Sequence, residues 1–305
     1  MSENLQHQAA GDATPFAFIW RQLFQTVPSI PNTIDLHGQV ALVTGSNVGL
    51  GFESARQLLA LNLSHMILAV RSKKRGDEAA KKLRTEFPSA KIEVSIVDMS
   101  SYDSIMAFAK RCETLSRLDI AILNAGLSQP KYERTEETGH EVTFQINYLS
   151  TVFLALVLVP ILREKHRVSS PARLSLVGSD TSYYANRNGL ESESVSELLL
   201  LMFARELSKR VPSSNVIINV SNPGACRGTQ FGQTERSMLQ EAFLYAASLI
   251  LGRSPTVGAR HSREDILTLP LSFPPIMYEH RGLALQNLLW NETMKEFDGF
   301  NIERF

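Results

Sequence analysis

The chain has 305 residues, with 31 Lys or Arg and 31 Asp or Glu, so its formal net charge at pH 7 is zero. A chain of this length can bury one large core, and its balanced charge gives no electrostatic basis for binding nucleic acid or an anionic membrane. Its two cysteines lack metal-binding or redox spacing, which predicts free thiols, no metal site and a cytoplasmic protein.

Residues 1–34 are predicted to form an arm ahead of a single domain over residues 35–305. Residues 1–14 are polar and small, without periodicity or a signal-peptide pattern, so we expect part of the arm to be disordered. Residues 15–27 are rich in aromatic and aliphatic side chains around Arg21. Two interpretations of this segment stay open: a short helix packed on its own domain, and a membrane-surface or substrate-gate helix.

Short apolar segments alternate with segments of helical period from residue 39 onward. Strands are predicted at residues 39–44, 65–70, 91–97, 119–123, 173–177 and 216–220, with helices at 52–60, 76–86, 102–113, 142–162 and 195–210. Such repeated units predict an α/β fold with a doubly wound, mainly parallel sheet of six or seven strands covered on both faces. The longest apolar run, residues 148–162, is too short for a transmembrane segment and fits a buried helix.

A glycine-rich turn follows the first predicted strand. The sequence VALVTGSNVGLG over residues 40–51 places Gly45, Gly49 and Gly51 between a strand and a helix. Small residues let backbone amides approach a pyrophosphate, and the helix N-terminus supplies positive potential. The strand before and the helix after make this pattern a predicted nucleotide site. The other residues of the turn expected to contact the nucleotide are Ser46, Val48 and Leu50.

Further motifs follow the glycine-rich turn in a fixed order along the chain. They are Asp98 in VDMS, Asn124-Ala125-Gly126, Asn147 in QINY, Ser179 in VGS, and Asn222-Pro223-Gly224. With the turn TGSNVGLG, these motifs make the chain resemble the short-chain dehydrogenase/reductase family over residues 35–255. The resemblance is greatest to fungal members with an N-terminal aromatic arm, often found in secondary metabolism.

The resemblance implies a Rossmann-type domain with a nicotinamide cofactor and assigns a role to each motif. Asp98 would contact the adenine, and residues 124–126 would support the cofactor after the fourth strand. Residues 222–224 would form the loop beneath the nicotinamide. Asn147 and Ser179 would be catalytic, because they match the helix asparagine and the serine of the family's tetrad.

The end of the second predicted strand bears on the choice of cofactor. An acidic residue there would accept hydrogen bonds from the ribose 2′-hydroxyl of NAD. This chain instead has the basic run RSKKR at residues 71–75, and no acid before Asp77. Because a guanidinium binds a 2′-phosphate through charge-assisted hydrogen bonds, Arg71 and the basic residues behind it predict NADP (NADPH).

The chain departs from the family at the helix after Ser179. Family members begin this helix with Tyr-x-x-x-Lys, in which the Tyr transfers a proton and the Lys holds the nicotinamide ribose and lowers the pKa of the Tyr. The matching positions here are Glu193 and Glu197, which the helical period places on one face. The stretch before the helix is also shorter than in many relatives, as a deletion or a missed exon would leave it.

Two interpretations of the glutamates stay open. In the first, Ser194 and Glu197 form a capping box at the start of the helix, and Glu193 is solvated. In the second, the carboxylates form a coupled pair in the cofactor cleft, which raises the pKa of at least one of them. Glu193 would then serve as the general acid, and Glu197 would accept hydrogen bonds from ribose hydroxyls.

Tyr183 and Tyr184 are alternative proton donors. They follow Ser179 by about one turn, in the loop expected to line the substrate pocket. A phenol with a pKa of about 10 is a poor general acid without a cationic neighbour, and Arg187 is the nearest candidate. Both rings are otherwise interpreted as walls of the pocket.

The sequence specifies the substrate side less closely. Residues 225–245 occupy the position of the family's lid, and the apolar C-terminal part predicts a small apolar substrate. The apolar faces of residues 147–162 and 195–210 match helices that pair subunits in this family. They predict either a homodimer or burial within one chain.

The sequence therefore leaves three functions from different classes open. The first is an NADPH-dependent oxidoreductase that acts on a carbonyl, an alcohol or an activated double bond. The second is a cyclase, isomerase or dehydratase on the same scaffold, without net redox chemistry. The third is a nucleotide-binding protein without catalysis.

Overall fold

The computed structural model describes residues 3–24, 33–129, 131–166, 170–185, 192–226, 252–261 and 273–302. The strands in these residues are β1 (Val40–Thr44), β2 (His65–Val70), β3 (Lys91–Ile96), β4 (Ile120–Leu123), β5 (Ala172–Val177) and β6 (Val216–Ser221). The helices are α1 (Glu3–Asp12), α2 (Pro15–Phe24), α3 (Gly49–Ala60), α4 (Lys73–Glu86), α5 (Tyr102–Glu113), α6 (Val142–Phe144), α7 (Thr151–Lys165), α8 (Ser192–Arg210), α9 (Pro255–His261) and α10 (His280–Glu296). A π-helical turn, Gln145–Ser150, joins α6 to α7, and 3₁₀ turns cover Asp180–Tyr184 and Pro275–Tyr278.

The strands form one parallel sheet in the order β3-β2-β1-β4-β5-β6. This confirms the predicted α/β fold with a doubly wound parallel sheet, and every predicted strand end lies within one residue of its observed position. Because all strands run in one direction, their carboxyl ends lie along one edge of the sheet. Ligands of such sheets bind at that edge, near the point between β1 and β4 where the strand order reverses.

Side chains of the strands alternate between two helical layers. On β1, Leu42 packs in the cluster of α5, α7 and α8, whereas Ala41 and Val43 pack in the cluster of α3 and α4. All three side chains are fully buried. A sheet covered on both faces needs apolar side chains in both directions, which explains the continuous apolar runs in the sequence.

The long apolar helical stretch belongs to the core. Among the described residues, Val142–Lys165 alone is long and apolar enough to cross a membrane, and 89% of its most apolar window is buried inside the protein. Phe153, Leu156 and Leu158 on α7 have no exposed surface. A helix that is apolar on all sides suits this position between the sheet and the flanking helices.

Helix α10 covers the faces that were predicted to pair subunits or to be buried. Trp290 of α10 stacks on Phe203 of α8, with ring centroids 4.9 Å apart and an interplanar angle of 15°. Phe297, just after α10, packs on Phe153 of α7 at 4.8 Å. These faces are buried within one chain, as the second interpretation expected. A homodimer stays an untested prediction, and it would need another surface.

The N-terminal arm differs from its predicted form, because residues 3–12 are helical rather than disordered. Helix α1 lies against the 3₁₀ turn at Pro275–Tyr278 and buries Ala9, which is 2% exposed. Ala13, which follows the helix, is 4% exposed. Small side chains allow close approach of the helix to the domain, so tertiary contact overrides the weak local signal.

Helix α2 packs on the domain through its polar face. Arg21 and Gln22 are each 9% exposed, whereas Phe16, Trp20 and Phe24 are 73%, 55% and 62% exposed. The helix is therefore packed on its own domain, as one interpretation expected, but its aromatic side chains form an outward stripe rather than the contact. The ring centroids of Trp20 and Phe24 lie 4.5 Å apart within that stripe.

Candidate active site

The glycine-rich turn lies at the carboxyl end of β1 and leads directly into α3. Gly45 and Gly49 have φ angles of +64° and +58°, which residues with a Cβ rarely adopt. Val48 precedes the first turn of α3, and its side chain does not cap the helix. The first N–H groups of α3 therefore lack a side-chain cap, which is the arrangement that binds anions such as a pyrophosphate.

The end of β4 is held against this turn by hydrogen bonds. The backbone N–H groups of Asn124 and Ala125 both donate to Thr44 Oγ1 at 2.9 Å, and Asn124 Nδ2 donates to the Thr44 carbonyl at 3.0 Å. A Cβ at Gly51 would lie 2.5 Å from Asn124 Nδ2 and 2.6 Å from the Gly45 oxygen. Gly51 is therefore required for the turn, α3 and the loop that continues to Gly126 to pack together.

We expect Gly51→Ala to destabilise the protein by about 1–3 kcal/mol, because the added Cβ overpacks a site built of backbone and a bonded amide. The matched control is Gly299→Ala, since a Cβ at Gly299 meets no atom within 4 Å. Urea unfolding of both variants measures the difference in free energy of unfolding. Equal stability of the two variants would contradict the packing argument.

The two residues predicted to contact the adenosine part of the cofactor lie just after β2 and β3. Arg71 is exposed and directly follows β2, and no hydrogen bond or ion pair of its side chain is present among the described residues. Asp98 follows β3 and is half-buried, and its Oδ1 accepts from Ser100 N–H at 2.9 Å and Ser100 Oγ at 2.7 Å. Arg71 is thus available to bind an added phosphate. One carboxylate oxygen of Asp98 is instead engaged by Ser100 in the turn after β3.

Asn147 is occupied by backbone partners. Its Oδ1 accepts from Leu127 N–H at 2.9 Å, and its Nδ2 donates to the Leu127 carbonyl at 2.8 Å. The residue is 4% exposed and lies in the π-helical turn Gln145–Ser150. Because Leu127 engages both ends of its amide, Asn147 holds the loop after β4, and its expected direct action on the substrate stays a prediction.

Ser179 lies at the carboxyl end of β5, on the same edge as the glycine-rich turn. It is half-buried, and its Oγ accepts from Thr181 N–H at 3.2 Å at the start of the 3₁₀ turn Asp180–Tyr184. The hydroxyl hydrogen of Ser179 is free to donate in that arrangement. The residue therefore has the exposure and the donor that its predicted role requires.

Glu197 is the buried carboxylate of this site. It is 6% exposed, its Oε2 has no hydrogen-bond partner among the described residues, and Oε2 lies 3.6 Å from the Cβ position of Gly178. Burial, and secondarily the negative charge of Glu193, raises the pKa of Glu197 to about 8, although the Ser179 backbone N–H opposes this shift. Glu197 is therefore largely protonated at neutral pH, and it lies beside Ser179.

The capping-box interpretation is wrong for this helix. Helix α8 is already helical at Ser192, so Ser194 lies inside the first turn rather than at the N-cap. The carboxylate of Glu197 contacts the backbone of Ser179 instead of the helix start. Glu193 is half-buried, and its carbonyl accepts from Ser196 Oγ at 2.8 Å. The candidate general acid is thus Glu197, which lies one helical turn beyond Glu193, the residue expected from the sequence.

The cation beside Tyr183 comes from the N-terminal arm. The Arg21 guanidinium carbon lies 5.8 Å from the centroid of the Tyr183 ring, which is 9% exposed. Arg187, the cation expected from sequence, lies outside the described residues, as do residues 227–245 of the expected lid. Tyr184 is half-buried. Sequence reasoning missed Arg21 because it precedes Tyr183 by more than half the chain, and its only signal was a charge within an aromatic segment.

The loop after β6 meets the glycine-rich turn through α9. Gly224 has a φ angle of +69°, and its N–H donates to Asn222 Oδ1 at 3.0 Å. A Cβ at Gly258 would lie 3.2 Å from Leu50 Cδ1 and 3.5 Å from Pro223 Cβ. Both predicted cofactor loops therefore contact one position on α9, which brings them to the same cleft as Ser179.

Comparison with known proteins identifies the family. The sequence profile described as short chain dehydrogenase matches residues 39–240. Short chain dehydrogenase virL of Hypocrea virens (strain Gv29-8 / FGSC 10586) is 42% identical in an alignment that covers 98% of this chain and 96% of the relative. Short chain dehydrogenase opdN of Penicillium oxalicum (strain 114-2 / CGMCC 5302) is 43% identical, with 85% and 92% covered. The chain belongs to the short chain dehydrogenase family.

A solved structure of low sequence identity supports the fold of this short chain dehydrogenase. L-sorbose reductase from Gluconobacter frateurii, complexed with NADPH and L-sorbose, superposes with a TM-score of 0.59 at 21% identity, covering 74% of this chain and 89% of that chain. The predicted Rossmann-type fold and family membership are confirmed. Membership supports oxidoreductase as the class of the protein.

Buried polar atoms of this short chain dehydrogenase fit a nicotinamide dinucleotide in the cleft. Side-chain oxygens without hydrogen-bond partners among the described residues occur in Ser46, Thr181, Ser182, Glu197 and Ser221. A buried polar atom without a partner costs free energy, so a polar ligand that supplies partners is favoured. Together with the cradle at Gly51, these atoms match a cofactor with phosphate, ribose and amide groups.

Proposed function

We propose that the protein is an NADPH-dependent oxidoreductase that acts on a carbonyl, an alcohol or an activated double bond of a small apolar metabolite. A place in secondary-metabolite biosynthesis, which the resemblance to fungal members with an aromatic arm implies, is part of this proposal. The observation that carries the proposal is the position of Glu197, a buried carboxyl group beside Gly178 and Ser179, at the sheet edge that also holds the glycine-rich turn.

The residues that would hold the cofactor lie at the carboxyl ends of β1, β2 and β6. The N-terminus of α3 with Gly45, Ser46 and Gly49 would bind the pyrophosphate. Arg71 would bind the 2′-phosphate, while Pro223 and Gly224 would lie against the nicotinamide. When bound, NADPH would supply the hydride that reduces a carbonyl carbon.

The chain itself would supply the proton and the orientation. The Ser179 hydroxyl is free to donate a hydrogen bond to the substrate oxygen and so polarise it. Burial raises the pKa of Glu197 to about 8, and its Oε2 has no hydrogen-bond partner in the described part of the chain, so Glu197 can protonate the same oxygen as negative charge develops there. The resulting carboxylate would recover its proton from water before the next turnover.

The choice of NADP over NAD rests on Arg71. We expect Arg71→Ala to weaken NADPH binding at least tenfold and to leave NADH binding nearly unchanged, because a charge-assisted contact contributes about 1.5–3 kcal/mol. A fluorescence titration of each cofactor measures both dissociation constants. The matched control is Arg281→Ala, since Arg281 is an exposed arginine of α10 whose Nε lies 2.5 Å from Glu279 Oε2. Equal losses for the two cofactors in Arg71→Ala would contradict the assignment.

A second function is favoured by the same acid. A protonated carboxyl group beside a serine could catalyse a cyclisation, isomerisation or dehydration, with the nucleotide site retained for structure. The two functions separate in one experiment: purified protein is given NADPH and a panel of apolar ketones and enones, and NADPH oxidation and product are measured together. Product without NADPH oxidation supports the second function, and binding of NADPH without any product supports a protein that only binds nucleotide.

We propose the cytoplasm as the location of this protein. Cys112 and Cys226 are both free thiols. Burial raises the pKa of Cys112 to about 12 and that of Cys226 to about 11. Neither thiol is therefore activated, and such cysteines suit a reducing compartment.

A further inference from the structure

Helix α2 of the arm docks on the loop that is expected to lie beneath the nicotinamide. Gln22 Nε2 donates to the Ala225 carbonyl at 3.0 Å, and Arg253 Nη2 donates to the Arg21 carbonyl at 2.8 Å. A Cβ at Gly224 would lie 2.4 Å from Gln22 Oε1, so the Gln22 side chain packs directly against the Gly224 backbone. The arm is thereby fixed against the turn that follows β6.

Arg21 extends this contact to the loop that carries Ser179. The Arg21 side chain lies in the protein, with Nη1 donating to the Asp12 carbonyl at 3.0 Å and Nη2 3.5 Å from Asp180 Oδ1. Asp180 directly follows Ser179 and is 8% exposed. A buried carboxylate is costly without a cationic partner, so Arg21 compensates the charge of Asp180.

Asp180 completes a continuous series of contacts between the two loops. Its Oδ1 accepts from Asn222 Nδ2 at 2.5 Å, and Asn222 Oδ1 in turn accepts from Gly224 N–H at 3.0 Å. One carboxylate thus joins the residue after Ser179 to the turn after β6, and the arm supplies the charge that keeps this carboxylate buried.

We infer that Arg21 is a positioning residue of the active site, which sets the position of Ser179 relative to the nicotinamide loop through Asp180 and Asn222. On this inference the N-terminal arm is a structural part of the active site. This inference rests on the proposed function for its kinetic consequence only, since the arm's hold on the two loops is a property of the protein without cofactor.

The test compares Arg21→Met with Arg21→Lys and with a matched control. Arg117→Met removes another Arg–Asp pair with a buried Asp, in which Nε of the half-buried Arg117 lies 2.7 Å from Asp119 at the opposite edge of the sheet. Amide hydrogen exchange is followed in peptides over residues 179–185 and 221–226, without cofactor. We expect Arg21→Met to raise exchange in both peptides by about tenfold or more, because the buried carboxylate loses its partner.

Arg21→Lys is expected to restore most of the protection, because it returns a cation to Asp180, and Arg117→Met is expected to leave both peptides as in the wild type. With NADPH and a substrate from the panel, Arg21→Met should lower kcat more than it raises KM for NADPH, since Arg71 is untouched. Wild-type exchange in Arg21→Met, or equal effects in Arg117→Met, would overturn the inference. A wild type that binds no NADPH would overturn the proposed function, and the exchange data would still decide the role of Arg21.

Discussion

The double variant Glu193→Tyr with Glu197→Lys is expected to reduce ketones with NADPH about 10²–10⁴-fold faster than Glu197→Gln, which lacks the buried acid, because this is the usual contribution of general acid–base catalysis. The change restores the Tyr-x-x-x-Lys pair of the family at positions one turn apart on α8. A cation at position 197 would lower the pKa of the new Tyr and replace a carboxylate that cannot do so. Initial rates of NADPH oxidation with a panel of apolar ketones measure the gain.

The single variants test which glutamate acts in the native reaction. Glu197→Gln should lower native product formation by a similar factor, because it removes the buried proton and keeps the shape. Glu193→Gln should have a smaller effect, since Glu193 only adds to the shift of its neighbour's pKa. Native turnover that is unchanged in Glu197→Gln would show that the acid is not catalytic. A double variant no faster than Glu197→Gln would argue against the alignment of the two positions.

Glu197→Gln is also expected to be more stable than the wild type above neutral pH. The pKa of Glu197 is raised from 4.5 to about 8 on folding. Between these values the folded protein holds a proton that the unfolded chain has released, so the stability of the wild type falls as pH rises through this window. The difference between variant and wild type should be small near pH 4.5 and reach the order of a few kcal/mol above pH 8.

Urea unfolding at about pH 5 and about pH 8.5 measures this difference, because titration of all other groups cancels between variant and wild type. The matched control is Glu292→Gln on the exposed side of α10, where the Glu292 side chain is 57% exposed and pairs with Lys295. Glu292→Gln should show little pH dependence relative to the wild type. A Glu197→Gln difference that does not grow with pH would mean that Glu197 is ionised in the folded protein.

Much of this fold follows from local sequence patterns. Short continuous apolar segments with Val, Ile and Leu located all of the described strands, because a sheet buried on both faces needs apolar side chains in both directions. The glycine-rich turn at Gly45–Gly51 was predictable because positive φ angles and a close approach to Asn124 restrict these positions to Gly. The beginning of α8 was not predictable, since capping by Ser194 and continuation from Ser192 satisfy the same local pattern.

Features that depend on distant contacts were missed or misread. The polar face of α2 packs inward because Asp180 and Ala225 supply partners for Arg21 and Gln22, and neither partner is near in sequence. Asn147 matches a catalytic motif, but only the structure shows that Leu127 uses both ends of its amide. The depth of Glu197 is likewise set by the packing of α8 against the 3₁₀ turn Asp180–Tyr184, which follows β5.

The docking of α2 also has a consequence for the order in which parts of the chain fold during synthesis. The hydrogen bond from Arg253 to Arg21 spans 232 positions of the chain. At about 5–20 residues per second, a ribosome would need roughly 10–50 s to synthesise that interval. During this time the polar face of α2, with Arg21 and Gln22, has left the ribosome and lacks its contact with Arg253. The first segment synthesised would thus be among the last to reach its native place, and nascent chains would pass through a stage with an undocked aromatic helix.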